Sequence, residues 1–247
     1  MLLLEAKQYL EVDNKLISYT VNGCGSPMVL VHGLGTSIDS WSLNIRELSK
    51  YSKVYAIDLP GFGESSYSDE IMSAEEMADT IAQWCFKLKI KRAVFVGHSF
   101  CGEVCLWLAI KYPRLVKSLI LAASTGLNDQ ASNLDRVQNM IIDGIREPLY
   151  FMPRLFKAYL KAGAWRMAVT LQKSCKRPLS NYLSKIICPV LIIYGSRDPV
   201  IIPEEDYNCV RKIKHVKTKT INSTHGLIFD SPEQFNYLVN EFIGSYN

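Results

Sequence analysis

The feature that most constrains this chain is an alternation along its length. Short apolar, β-branched runs at residues 28–31, 54–57, 93–96, 118–121, 190–194 and 216–221 are separated, from the second onward, by stretches of helical character. A strand that returns parallel to its predecessor needs a long crossover, usually a helix, so this alternation predicts a mainly parallel sheet with helices on both faces. The clearest helix is 73–88, opened by Ser73-Ala74-Glu75-Glu76, in which the serine and the glutamate three places on form a capping box. Ahead of the alternation, residues 7–12 and 16–21, joined by Asp13-Asn14, read as an antiparallel hairpin.

One segment breaks the rhythm. Residues 127–187 hold no good strand, only helical stretches punctuated by Gly144, Pro148, Pro153, Gly163 and Pro178. An excursion of this length between two core strands is too long for a plain loop. It reads as a helical lid, residues 127–186, over a core formed by 1–126 and 187–247. Such insertions sit above the C-terminal ends of the strands, where open α/β sheets bind ligands.

The run Ala93-Val94-Phe95-Val96 breaks at Gly97-His98-Ser99-Phe100-Cys101-Gly102. A serine placed between a buried strand and a new helix has the form of a nucleophile elbow, Gly-x-Ser-x-Gly, with Cys101 in the last glycine's place. The departure has two readings: a small residue accommodated by a slight shift of the helix, or a functional thiol beside the serine. A serine hydroxyl needs a base to take its proton and a third group to orient that base. Of the four histidines, His32 and His98 sit in tight turns and His215 opens a strand, whereas His225 lies in a loop after the last strand. Asp198, in Gly195-Ser196-Arg197-Asp198-Pro199 after the strand 190–194, is the candidate acid, with Asp129 in reserve. The backbone amides of Leu34, in Val31-His32-Gly33-Leu34-Gly35, and of Phe100 are the candidate oxyanion donors.

The motifs His32-Gly33-Leu34-Gly35, Asp58-Leu59-Pro60-Gly61-Phe62-Gly63-Glu64-Ser65, Gly97-His98-Ser99, Gly195-Ser196-Arg197-Asp198 and His225-Gly226 occur in that order. Together they make the chain resemble the α/β-hydrolase fold superfamily over essentially its whole length. The resemblance implies an eight-stranded sheet, a lid after the sixth strand and no cofactor. Ser99 stands where the dehalogenases and epoxide hydrolases of that superfamily carry an aspartate, so the implied chemistry is that of the serine branch. The expected activity is cleavage of an ester or thioester through an acyl-enzyme, with Ser99, His225 and Asp198 as the triad. The alternatives are a carbon-carbon bond hydrolase of the same fold and a non-catalytic ligand receptor.

Composition excludes several other classes. No run approaches the roughly 18 apolar residues of a membrane helix, so no stable membrane insertion is expected, and the N-terminal leucines lack the basic flank of a signal peptide. Seven scattered cysteines without a Cys-x-x-Cys pair predict a reducing, cytoplasmic setting, no metal site, and core roles for Cys101 and Cys105. Charge is uneven: residues 127–187 carry net +6 in a chain whose total is +4. A solvated helix face explains this, as does an anionic or carrier-bound acyl substrate drawn by the field. The basic cluster has no nucleic-acid-binding motif, so nucleic acid is not an expected partner. His32, Phe151, Phe156 and Trp165 are the candidate substrate-binding side chains. The oligomeric state is left open.

Overall fold

The computed structural model describes residues 6–67, 70–128, 150, 152–176 and 178–246. Eight strands form one sheet: β1 (Gln8–Val12), β2 (Lys15–Asn22), β3 (Pro27–Val31), β4 (Lys53–Ile57), β5 (Ala93–His98), β6 (Val116–Ala122), β7 (Val190–Gly195) and β8 (Val216–Ile221). Their spatial order is β1-β2-β4-β3-β5-β6-β7-β8. Both pairings of β2 are antiparallel and the other five are parallel. The hairpin turns through Asp13 and Asn14, both at positive φ, 48° and 60°, as a two-residue type I′ turn requires.

Burial follows position in the sheet. Central β5 is buried along its whole length, which is why its sequence is a continuous apolar run rather than an alternation. Edge strand β8 keeps Lys217 and Lys219 exposed, and charge on an edge discourages pairing with another chain.

The helices among the described residues are α1 (Ile45–Leu48), α2 (Ala74–Lys87), α3 (Phe100–Lys111), α4 (Met152–Ala162), α5 (Ala164–Ser174), α6 (Pro203–Val210), α7 (Leu227–Asp230) and α8 (Pro232–Gly244). The capping box forms: Glu76 N–H donates to Ser73 Oγ at 3.3 Å and Ser73 N–H donates to Glu76 Oε2 at 2.7 Å. α2 packs beside α3, and its Trp84 meets Tyr19 and Tyr55 edge-on at 5.3 and 5.8 Å. α1 packs with α8, where Phe235 lies 6.0 Å from Trp41.

Between β6 and β7 the described residues contain α4, α5 and two short 3-10 turns, Leu179–Asn181 and Leu183–Lys185, and no strand. Leu179, Leu183 and Ile186 are buried in the main core, and the Tyr182 ring meets Trp107 of α3 at 5.4 Å and a tilt of 48°. The second half of the inserted segment is thus anchored to the core.

The strand order contains one reversal that matters for the site. From β3 the chain moves to β4 on one side, then crosses over to β5 on the other. Loops leaving β3 and β5 therefore diverge, and a crevice opens between them at the strands' C-terminal ends. The register pairs Val31 with Gly97, so the loop after Val31 and the turn at Ser99 leave the sheet side by side.

Candidate active site

Ser99 joins β5 to α3 with φ 54° and ψ −129°, outside the regions that side-chain-bearing residues prefer. Three bonds hold it there: its N–H donates to Ala122 O at 2.9 Å, and its carbonyl accepts from Gly102 N–H at 2.9 Å and Thr125 N–H at 3.2 Å. The sharp turn brings α3 against β5 so closely that a Cβ on Gly97 would lie 2.5 Å from Cys101 O and 2.8 Å from Cys105 Sγ. A Cβ on Gly102 would overlap Ser124 Oγ and lie 2.5 Å from Ser124 Cβ.

These contacts resolve the irregular motif. Close approach is required at Gly97 and Gly102, while Cys101 points its small side chain into the core and is 1% exposed. Burial drives the Cys101 thiol well above its ordinary range, with Cys105 and Glu103 adding to the effect. A buried protonated thiol is a poor nucleophile, so the reading of Cys101 as a reactive group fails.

The structure brings Ser99, His225 and Asp198 together. Ser99 Oγ lies 2.8 Å from His225 Nε2, and His225 Nδ1 lies 2.9 Å from Asp198 Oδ2. An ionised carboxylate only accepts, so Nδ1 carries the hydrogen and Nε2 is left to accept from the serine hydroxyl. Asp198 is held by two further donors on its other oxygen, Val200 N–H at 2.7 Å and Ile201 N–H at 3.1 Å. Asp129, the reserve acid, lies outside the described residues.

Two polar residues that sequence reasoning missed hold the histidine loop. Asp230 Oδ2 accepts from Thr224 N–H at 2.9 Å, Ser223 Oγ at 3.0 Å, Thr224 Oγ1 at 3.1 Å and Arg197 Nη2 at 3.3 Å. One carboxylate oxygen thereby ties the loop before His225 to the loop that carries Asp198. His98 Nε2–H donates to the His225 carbonyl at 3.0 Å, which fixes the backbone from the other side. The only sequence signals were an acid five places after His225 and a histidine beside the serine.

On the other flank, Gly33 O accepts from Thr36 N–H at 3.1 Å, closing a tight turn with Gly35 at φ 77°. That is the positive φ that the third position of a type II turn demands. Leu34 occupies the second position, where the turn makes no use of its N–H. Phe100 opens α3, so its N–H is one of the four that a helix leaves without an intrahelical acceptor. Asp58 steadies this flank by accepting from Ile38 N–H at 2.8 Å and Glu64 N–H at 2.9 Å. α4 and α5 rest directly on the turn: Tyr159 and Met167 occupy the space that a Cβ on Gly35 would need.

The expected substrate contacts are not gathered here. His32 is fully buried, with Nδ1 2.8 Å from Gly33 O and Nε2 accepting from Leu59 N–H at 3.1 Å. Both nitrogens serve the backbone and the ring braces the turn, so His32 is not available to a substrate. Phe156 and Trp165 are exposed on the outer side of α4 and α5, and Phe151 lies outside the described residues. Among the described residues, no group of three or more His, Cys, Asp or Glu side chains is placed to hold a metal ion. Among the same residues, no helix is long and apolar enough to cross a membrane.

Comparison with known proteins identifies the fold family. Residues 26–156, just over half of the chain, match the α/β-hydrolase fold family, and the chain belongs to that family. It is 34% identical over 194 residues to the abhydrolase domain-containing protein abhd-5.2 of Caenorhabditis elegans, an alignment covering 74% of this chain and 41% of that protein. It is 36% identical over 219 residues to the dihydrolipoyllysine-residue acetyltransferase component of an acetoin cleaving system of Pseudomonas putida, covering 79% and 59%. The chain thus spans less than two thirds of the length of these relatives. Among solved structures, a thermophilic esterase from Thermogutta terrifontis superposes with a TM-score of 0.84 at 22% identity, over 98% of this chain and 99% of that one.

Two outcomes follow from the packing and the buried imidazole. Gly102→Ala is expected to lower stability by about 1–3 kcal/mol through overpacking, which urea unfolding checks. His98 is pushed down to about 3 by burial and by the neighbouring His225. Its folded value lies below the ordinary 6.5, so its contribution is whole at neutral pH and is lost as pH falls from about 6.5 toward 3. By pH 5 the loss from this group is about 2 kcal/mol. Urea midpoints at pH 7 and pH 5 should converge in His98→Gln relative to the parent chain.

Proposed function

We propose that this protein is a serine hydrolase that cleaves a carboxylic ester or thioester through an acyl-enzyme. The observation that carries this reading is the continuous Ser99–His225–Asp198 chain of 2.8 and 2.9 Å contacts, with the serine on a strained elbow. His225 Nε2 takes the hydroxyl proton as Ser99 Oγ attacks the acyl carbonyl. Asp198 holds the tautomer and stabilises the imidazolium that forms. The Leu34 and Phe100 amides receive the charge that develops on the carbonyl oxygen. His225 then passes its proton to the departing alcohol or thiol, and water, deprotonated by the same imidazole, releases the acid.

In this reading residues 127–186 act as a lid, since α4 and α5 rest on the Leu34 turn. Asp230 acts as a positioning residue through its four donors. A second reading draws on the acetyltransferase relative: the same acyl-enzyme transfers its acyl group to an acceptor hydroxyl, thiol or amine instead of water. Product analysis with and without added acceptors separates the two.

Pre-steady-state turnover of p-nitrophenyl acetate tests the mechanism. A burst of nitrophenol is expected, absent in Ser99→Ala, and kcat falls by about 10⁴-fold in Asp198→Asn, where the imidazole tautomer is wrong. A burst that survives Ser99→Ala refutes the assignment. Asp230→Ala should lower kcat by about 10- to 100-fold through misplacement of His225, with KM changed far less; an unchanged kcat removes Asp230 from the machinery.

A further inference from the structure

Helix α4 is apolar over a wider arc than it buries. Leu155 and Ala162 are buried, and Tyr159 lies with Met167 of α5 over Gly35. Phe156 and Leu160, one helical turn apart, remain 65% and 68% exposed, and Trp165 at the start of α5 is 77% exposed. Single exposed apolar side chains need no explanation, but three large ones between residues 156 and 165, on two consecutive helices, call for one. Lys157 and Lys161 follow Phe156 and Leu160 directly, also one turn apart, so a basic strip borders the apolar one.

Along the segment itself the charge has one sign. From Pro148 to Ile187 the chain carries eight lysines and arginines and no aspartate or glutamate. An ordinary solvated surface intersperses both signs, but this segment provides no acid of its own to answer the lysines, and Glu64, which faces Lys161 from a neighbouring loop, is already paired with Lys7 at 2.7 Å. A fitting partner must therefore supply negative charge and, within a side chain's reach of it, an apolar phase. The headgroup region of an anionic bilayer offers both at once: phosphates and carboxylates for lysine, and the acyl boundary beneath for phenylalanine, leucine and tryptophan. An acidic protein answers the lysines but needs a separate groove for the three apolar side chains.

We propose that the outer face of α4 and α5 seats this protein reversibly on an anionic lipid surface. Lys157 and Lys161 meet the headgroups, and Phe156, Leu160 and Trp165 enter the acyl boundary. The inner face of the same helices lies on the Leu34 turn, so docking brings the lipid surface next to the C-terminal edge of the sheet. The seating does not depend on the proposed hydrolysis.

The chain contains its own reporter. Of its four tryptophans, Trp41, Trp84 and Trp107 are buried in the core and Trp165 is exposed. Vesicles of phosphatidylcholine with phosphatidylserine should therefore shift the emission to the blue and co-sediment with the protein, while phosphatidylcholine alone does neither. The shift disappears in Trp165→Phe while sedimentation persists. Replacing Lys157 or Lys161 by Gln should weaken partition about fivefold each, and raised salt should weaken it further. Phe156→Ser, Leu160→Ser and Trp165→Ser combined should weaken it roughly tenfold or more. All five side chains lie outside the core, so thermal melts matching the parent chain establish that the variants fold. Ser99→Ala sediments like the parent, which keeps this test separate from that of the hydrolase. The proposal is overturned by equal behaviour with both vesicle types, or by apolar variants that bind undiminished. It is equally overturned if the patch instead mediates concentration-dependent self-association or binding of an acidic acyl-carrier protein, with no vesicle binding.

Discussion

The parallel register between β3 and β5 is the constraint on which the rest of the site depends. Val31 pairs with Gly97, and the chain leaves these two strands in opposite directions. The Gly33–Thr36 turn and the Ser99 elbow therefore emerge as the two walls of one crevice. The register at the other end does the same work, since Gly195 pairs with Ile221 and the Asp198 and His225 loops leave adjacent strands. A slip of one residue in either ladder turns each side chain to the opposite face, and the four groups no longer converge.

Holding that convergence costs local strain. A non-glycine residue at φ 54° and ψ −129°, as at Ser99, carries of order 1–3 kcal/mol and persists only where its surroundings over-determine it. Here they do. Three backbone bonds grip Ser99, and Gly97 and Gly102 admit contacts with α3 and Ser124 that any side chain would block. The loops opposite are braced by polar groups: buried Asp58 for the Leu34 flank, and part-buried Asp230 and buried His98 for His225. Each group satisfies donors or acceptors that would otherwise be left unpaired in a poorly solvated region, which is where hydrogen bonds have the most effect on geometry.

Much of this was legible in the chain itself. The apolar runs of β3, β5 and β7 announce strands covered on both faces because a doubly buried strand has no reason to alternate. Ser73 and Glu76 announce the start of α2 because capping is local. Ser99, Asp198 and His225 could be named because each follows a recognisable strand. The bracing residues were illegible for the opposite reason: Asp58 reaches Ile38 and Arg197 reaches Asp230 only through loops that the sheet brings together. His32 misled because a histidine beside two glycines gives no hint that both its nitrogens are occupied by backbone. Phe156 and Trp165 misled because aromatic content does not reveal which side of a helix meets the core.

By itself, then, the sequence determined the α/β class, the order of the motifs and the chemical types brought to the site, since these rest on local patterns of burial, turns and caps. Tertiary structure decided the rest. It assigned the close-packing role to Gly97 and Gly102 and buried the Cys101 thiol, turned His32 inward, and left Phe156, Leu160 and Trp165 facing outward beside the lysines. These outcomes depend on distances between segments far apart in the chain, and periodicity and spacing along one strand of sequence carry no measure of such distances.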